Sequence, residues 1–351
     1  MPALSVTPLT GMPEVRPGDD LGTLLLDAAA ALDLTFEDGD VVVVSSKIVS
    51  KSLGLWADSA IKSAAVASQT VRVVAERMAG DRLTRIVQST AGPIMAAAGV
   101  DASNTGDHDG VLLLPADPDA EAERLRVTLL AATGLSRIGV VLSDTAGRPW
   151  RFGQTDFALG AAGLDVVDDL RGGVDADGRA LSVTARAVGD ELAAAADLVK
   201  GKAEAIPAAV VRGTAWARTD RGPGARALIR SGREDWFDYG RAEAVRAALG
   251  LEPGSSGAEQ LGIPSVAPEP VGVRVERAVT IAVSLNPFGC GADTSTEGVV
   301  EVCADTAFQV GQLVSRVRVA LWGEGLDSTL DGAEFTGPDG DVRARLTVTD
   351  R

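Results

Sequence analysis

GVVLSDTAGRPWRFGQTD, residues 139–156, decides how the rest of the chain is read. Its apolar head, 138–142, is the kind of short run that forms a buried strand. The strand ends in Ser143, Asp144 and Thr145. Gly147, Arg148, Trp150, Arg151, Gly153, Gln154 and Asp156 then crowd into the next few positions. Asp and Thr at a strand end can ligate a divalent ion. Two guanidinium forks suit phosphate or carboxylate, and glycine lets backbone approach a ligand closely. A purely structural loop has little use for that set.

Outward from this block the periodicity alternates. Helices are predicted at 20–32, 119–133 and 190–200, with one or two more within 59–78. Strands are predicted at 41–44, 85–89, 93–98, 111–114 and 208–212, and 155–162 reads as a small-residue helical segment. Such alternation indicates a mixed α/β or α+β body. Near residue 250 the composition shifts. A helix ends before Gly250, which is placed as its cap, and LEPGSSG (251–257) reads as a linker. The expected organisation is a main domain over 1–250, a linker over 251–261 and a small α+β domain over 262–351. A strand at 273–283, a helix at 305–321 and an alternating strand at 342–348 are expected in the last.

Composition bounds the chemistry. Among 351 residues, 33 are Lys or Arg and 49 are Asp or Glu, a net charge of −16. Nucleic-acid binding is excluded on that ground, because phosphate backbones need a basic footprint. The cysteines are Cys290 and Cys303, and the one histidine is His108. A disulfide framework, a zinc pattern and a multi-histidine metal site are therefore ruled out. The two thiols read as core residues or as a labile pair. No basic leader precedes an apolar core, and no run approaches the ~20 residues of a membrane span. A cytoplasmic protein with no membrane partner is expected.

Three further segments are polar beside apolar runs. VVVVSSKIVSK (41–51) delivers Ser45, Ser46, Lys47, Ser50 and Lys51 from a buried strand, a set suited to phosphate oxygens. A solvated strand end explains them equally well. GVDASNTG (99–106) offers Asp101 and Asn104, which an Asx turn also explains. His108, between Asp107 and Asp109, reads as an exposed loop residue. In 190–213, Asp190 and Glu191 complement a helix N-terminus, and Lys200, Gly201, Lys202 and Glu204 form a turn that can cover a nucleotide or simply close the helix. Together these segments sketch metal-assisted phosphoryl transfer, with divalent cations on Asp101 and Asp144 and with Lys and Arg meeting developing charge. Spacing leaves ligation, transfer and hydrolysis open.

The stretches GDVVVVSSKIVSK (39–51), AAGVDASN (97–104), LLLPADPDA (112–120), GVVLSDTAGRPWRFGQTDFALGAAGL (139–164), DADGRALSVT (175–184) and VGDELAAAADLVKGKAEAIPAAVVRG (188–213) run in the order of one family. Over about residues 8–245 the chain resembles the coenzyme F420-0:L-glutamate ligases, also called F420-0:gamma-glutamyl ligases. The resemblance implies an α+β, two-lobed fold and an intertwined homodimer. It implies a GTP-dependent ligase that activates the F420-0 carboxylate as an acyl phosphate, joins L-glutamate to it, and extends to longer gamma-linked chains. Mg2+ or Mn2+ is implied, with K+ a further candidate ion. By motif, Met12, Pro13, Glu14, Val15, Ser46, Lys51 and Asn104 would bind GTP, as would the turn Lys200, Gly201, Lys202, Ala203 and Glu204. Asp101, Asp144 and Thr145 would hold metal. On chemical grounds Arg148 and Arg151 join Asp144 as catalytic candidates, and Gln154 and Asp156 are candidate substrate contacts.

Two departures stand out. Many archaeal relatives carry Gln or Glu, a metal-binding residue, after the glycine of the 200-turn, and here Lys202 stands there. Actinobacterial relatives often fuse a flavin-binding nitroreductase-like domain, but residues after Leu249 contain no Arg-rich flavin entry, so no FMN is expected. The competing readings are a GTP-dependent ligase for another acid, a GTP hydrolase and a GTP-binding module without ligation.

Overall fold

In the computed structural model, residues 3–105, 108–286, 290–331, 335–336 and 341–351 are described. Gly106 and Asp107, part of the loop singled out around Asp101 and His108, lie outside them. The chain forms two compact units. The first joins Met1–Val71 to Gln88–Glu234, and the second joins Arg72–Val87 to Asp235–Arg351. The division expected at residue 250 is thus drawn differently, and the stretch 251–261 carries the helix Ser256–Leu261.

The first unit is built on a five-stranded sheet in the order Ser5–Pro8, Ala208–Arg212, Val41–Ser45, Gly139–Arg148, Arg151–Ala162. Val41–Ser45 and Gly139–Arg148 run parallel, with Ser45 opposite Ser143. The other neighbours are antiparallel. Both faces are covered. Val42, Val44, Val140 and Leu142 pack with the helices Leu21–Ala31 and Pro118–Thr133. Val41, Val43 and Val141 pack on the other side with the helix Val188–Lys200. Burial on both faces is why Val41 to Val44 show no polar alternation. With the second unit's antiparallel sheet, the architecture is α+β, as expected.

Residues 155–162, expected as helix, are instead part of the strand Arg151–Ala162. Its small residues are a packing requirement between a paired strand and a covering helix. A Cβ on Gly160 would lie 2.4 Å from the carbonyl oxygen of Pro118, at the start of the Pro118–Thr133 helix. In the 59–78 stretch only 59–68 is helical, and Thr70–Ala79 is a strand.

In the second unit, Cys290–Asp293, Val299–Ala304, Val342–Asp350 and Leu326–Leu330 form an antiparallel sheet. The helix Ala307–Gly323 and a second helix, Val271–Ser284, share its core. The strand expected at 273–283 is that second helix. Its β-branched residues follow helical spacing, with Val275, Ala278, Val279 and Ala282 buried on one face, so tertiary packing overrides local β propensity. Residues 72–87 join the unit through ion pairs. Arg72 meets Asp235 and Asp238, Arg77 meets Glu243, and Arg85 meets Glu76 and Glu259. Cys290 and Cys303 are free, half-buried thiols on adjacent strands.

Candidate functional site

The parallel pair fixes where chemistry sits in the first unit. Ser45 and Ser143 end the parallel ladder side by side, and side chains beyond the carboxyl ends of such strands face an open crevice. The helix Ser46–Ser52 starts directly after Ser45. The chain after Ser143 continues as a strand, with register shifts at Leu142/Ser143 and Gly147/Arg148. The Ser45 amide donates to the Pro207 carbonyl at 2.7 Å, which brings the 201–207 turn to the same end of the sheet.

A cavity of about 340 Å³ opens there, within the range of small-ligand sites. One wall is Met12, Pro13, Glu14 and Val15. Ser45, Lys47, Ile48 and Lys51 supply a second, and Asn104 lies at the edge. Ser143, Asp144, Thr145 and Asp156 line it from the 139–162 hairpin. Asp197, Lys200, Gly201, Lys202, Ala203, Ala205, Ile206 and Pro207 close it. Four lysines converge here in a chain of net charge −16.

A buried relay organises the interior. Lys200 Nζ donates to Asp156 Oδ2 and to Ser143 Oγ, each at 2.7 Å. Ser143 Oγ donates to the same Asp156 oxygen at 2.9 Å, and Thr145 Oγ1 donates to Asp156 Oδ1 at 2.6 Å. The Lys200 and Asp156 side chains are 4% and 5% exposed. Burial works to raise the Asp156 carboxyl, but Lys200, Thr145 and Ser143 outweigh it and hold it below the usual range. Both of its oxygens accept hydrogen bonds from within the protein, so it holds Ser143, Thr145 and Lys200 in place at the cavity wall.

The other carboxylates differ. Asp101 accepts from Lys47 Nζ, from the Ser103 amide at 2.8 Å and from Ser103 Oγ at 2.9 Å. Burial works to raise it, yet these partners bring it below its ordinary value. Asp144 is pushed up to about 6 by burial, against the pull of the Thr145 amide and Lys47, with Asp101 and Asp156 adding repulsion. Asp197 is also raised, first by burial and then by Asp156, while Lys200 and Lys202 oppose the shift. Lys202 Nζ donates to Thr145 Oγ1, and Lys51 Nζ to Glu14.

Most residues named from the sequence meet at this cavity. Three kinds do not. Ser46 is buried, with its hydroxyl unpartnered among the described residues, and the Glu204 carboxylate accepts from the Ala203 amide at 2.9 Å, inside its own turn. Arg148, Arg151 and Gln154 sit at the exposed tip of the hairpin, away from the cavity lining. His108 is exposed and stacks on Trp56 with ring centroids 4.5 Å apart. Sequence reading missed Ile48 and Asp197, and it placed Lys47 only within a set suited to phosphate oxygens. Helical spacing places Ile48 one turn before Lys51 and close after Lys47, and Asp197 lies three residues before Lys200, so each shares a face with a residue already chosen.

Among the described residues no helix is long and apolar enough to cross a membrane. The family model described as F420-0:Gamma-glutamyl ligase matches residues 11–213. The coenzyme F420:L-glutamate ligase of Haloarcula marismortui is 40% identical over 230 residues, 60% of this chain and 87% of the relative. That of Methanothermobacter thermautotrophicus is 38% identical over 251 residues, 67% of this chain and 98% of the relative. That of Archaeoglobus fulgidus is 37% identical over 225 residues, covering 60% and 88%.

Proposed function

Since the chain belongs to the F420-0:gamma-glutamyl ligase family, we propose that it joins L-glutamate to the terminal carboxylate of coenzyme F420-0, with GTP as the energy source and an acyl phosphate as the intermediate. The observation that carries the reading is the convergence of Lys47, Lys51, Lys200 and Lys202 with Asp144 on one cavity. An amide does not form from a free carboxylate and an amine near neutral pH without activation. Activation brings an anionic carboxylate against an anionic γ-phosphate, and clustered cations relieve that repulsion.

The oxygen donors present suit a hard divalent ion. Asp144 is the clearest seat. It is turned inward beside Asp101 and Asp156, and burial penalises its charge, which a bound cation relieves. Mg2+ or Mn2+ on Asp144, beside Thr145 and Asp101, supplies charge neutralisation between carboxylate and phosphate when bound. The chain's own groups do the rest. Lys47 and Lys51 face the phosphates from the Ser46–Ser52 helix, Met12 to Val15 flank the nucleotide, and the 201–207 turn covers it. Asp156 and Lys200 hold Ser143 and Thr145 in place. Arg148 and Arg151 stand directly opposite each other at the hairpin tip and form no ion pair among the described residues. Two like charges so placed are unfavourable unless an anion bridges them, and the phosphodiester of the acceptor is such an anion. K+ as a further ion, assembly as a homodimer and a cytoplasmic setting belong to the same reading.

The test is a ligation assay with F420-0, L-glutamate, GTP and Mn2+ or Mg2+, followed by mass spectrometry with GDP release in parallel. A gain of one glutamyl unit that requires both GTP and metal, and that is lost in Asp144→Asn, is expected. GDP release with no gain in mass would instead identify a hydrolase or a ligase for another acid.

A further inference from the structure

The family resemblance leads to an expectation of clustered divalent cations, with Asp101, Asp144 and Thr145 among their ligands. The arrangement of donors does not fit a pair of them. Thr145 Oγ1 spends its proton on Asp156 Oδ1 at 2.6 Å, and its lone-pair side accepts from Lys202 Nζ. Asp156 is engaged at both oxygens, by Thr145 at Oδ1 and by Lys200 and Ser143 at Oδ2. Asp101 is occupied by Lys47 and by Ser103. Among the described residues, no group of three or more His, Cys, Asp or Glu is arranged to hold a metal ion.

The turn that carries Lys202 is built tightly. Gly201 sits at φ +62°, and a Cβ there would lie 2.0 Å from the Glu204 carboxylate, which folds back onto the Ala203 amide. Lys202 follows that glycine directly and meets Thr145 from across the cavity. An ammonium is a compact point charge with three donors and no acceptor. It can neutralise phosphate oxygens but cannot bind a metal while protonated.

We propose that the Lys202 ammonium takes the place of one divalent cation, so that this site holds a single divalent ion, seated at Asp144. The proposal rests on the nucleotide-binding reading above. A second divalent ion on Thr145 would share one hydroxyl oxygen with a fixed positive charge, and like charges at that separation repel strongly in a partly dry site. The tethered ammonium is part of the chain itself and needs no metal concentration to fill its place.

The test counts bound Mn2+ on the full chain at saturating GDP. Free Mn2+ is read from its electron paramagnetic resonance signal against a protein-free blank, and GDP binding is measured on the same sample. The wild-type chain is expected to bind one Mn2+. Lys202→Gln, which restores a neutral oxygen donor, is expected to raise the count to two, and Lys202→Arg to leave it at one. Two Mn2+ on the wild-type chain would overturn the proposal, and so would a count of one in a folded, GDP-binding Lys202→Gln. The wild-type count stands even if that variant does not fold. Failure of the wild-type chain to bind GDP would overturn the nucleotide reading itself and the proposal with it, which the GDP isotherm separates from a wrong metal count.

Discussion

Asp156 shows what a single residue does here. Its carboxylate is the partner of a buried lysine, and removing one member of a buried pair leaves the other charged and unsolvated. Asp156→Ala is expected to cost about 3–5 kcal/mol of stability, read from urea unfolding, and a loss no larger than that of a surface substitution would show that Lys200 has another partner. Asp190 is the opposite case. Its Oδ1 accepts from the Ala158 amide at 2.9 Å, but burial dominates and raises its carboxyl. A raised carboxyl makes its full contribution to stability below the unfolded pKa, and that contribution is lost as pH climbs through the folded value. Asp190→Asn keeps the acceptor and removes the charge. It should therefore gain on wild type as pH rises from about 3 to about 7, with the two converging in acid. A constant difference in unfolding midpoint across that range would contradict this. The sequence made Asp144, Thr145 and Lys200 legible, because strand ends and helix ends display them. It did not distinguish Asp156 as an interior partner from Asp156 as a substrate contact. Residue type and spacing carry no information about which oxygens are already filled.

At the level of elements, the hairpin Gly139–Arg148 with Arg151–Ala162 does most of the positioning. Gly160 lets it meet the Pro118–Thr133 helix, since any Cβ there strikes the Pro118 backbone. Gly160→Ala should destabilise by about 1–3 kcal/mol, and because backbone must shift, the loss should also appear as weaker GDP binding at the far end of the same strand. An unchanged melting temperature would mean that the helix docks less tightly than its geometry implies. The error at 155–162 arose from this contact. Small residues that suit a helix are also what a strand pressed under a helix requires. The error at 271–284 ran the other way: valine and isoleucine suggested a strand, while the spacing of Val275, Ala278, Val279 and Ala282 was already that of a buried helical face. By contrast, Val41 to Val44 form the strand that their sequence predicts, because an unbroken β-branched run of that length has few other uses.

At the scale of the whole molecule, the division of the chain is not the one its composition marks. The linker-like run at 251–257 falls inside the second unit, which also claims residues 72–87. Glu76, almost fully buried, bonds Arg85 through Oε1 at 2.8 Å and accepts from the Gly254 amide at 2.8 Å. A chain ending at residue 250 would therefore leave the 72–87 segment without Gly254 and without Glu259, the second partner of Arg85. Limited proteolysis of that truncated chain should cut first within 72–87, and a fragment as resistant there as the full chain would refute the dependence. Membership of the second unit was not legible in the sequence, because it depends on ion pairs and backbone-to-carboxylate hydrogen bonds between segments more than a hundred residues apart.

The same interleaving constrains how the protein is made. A ribosome releases residues 72–87 long before it has synthesised 235–351, so the early segment leaves the exit tunnel before Glu243, Gly254 and Glu259 exist. Domains ordinarily complete one after another during translation. Here the second unit can close only after residues 235–351 have been made, over a loop that spans most of the first unit. Slow synthesis gives the waiting segment more time to find another chain, so expression at lower rates of initiation rather than lower rates of elongation is the condition that favours soluble product.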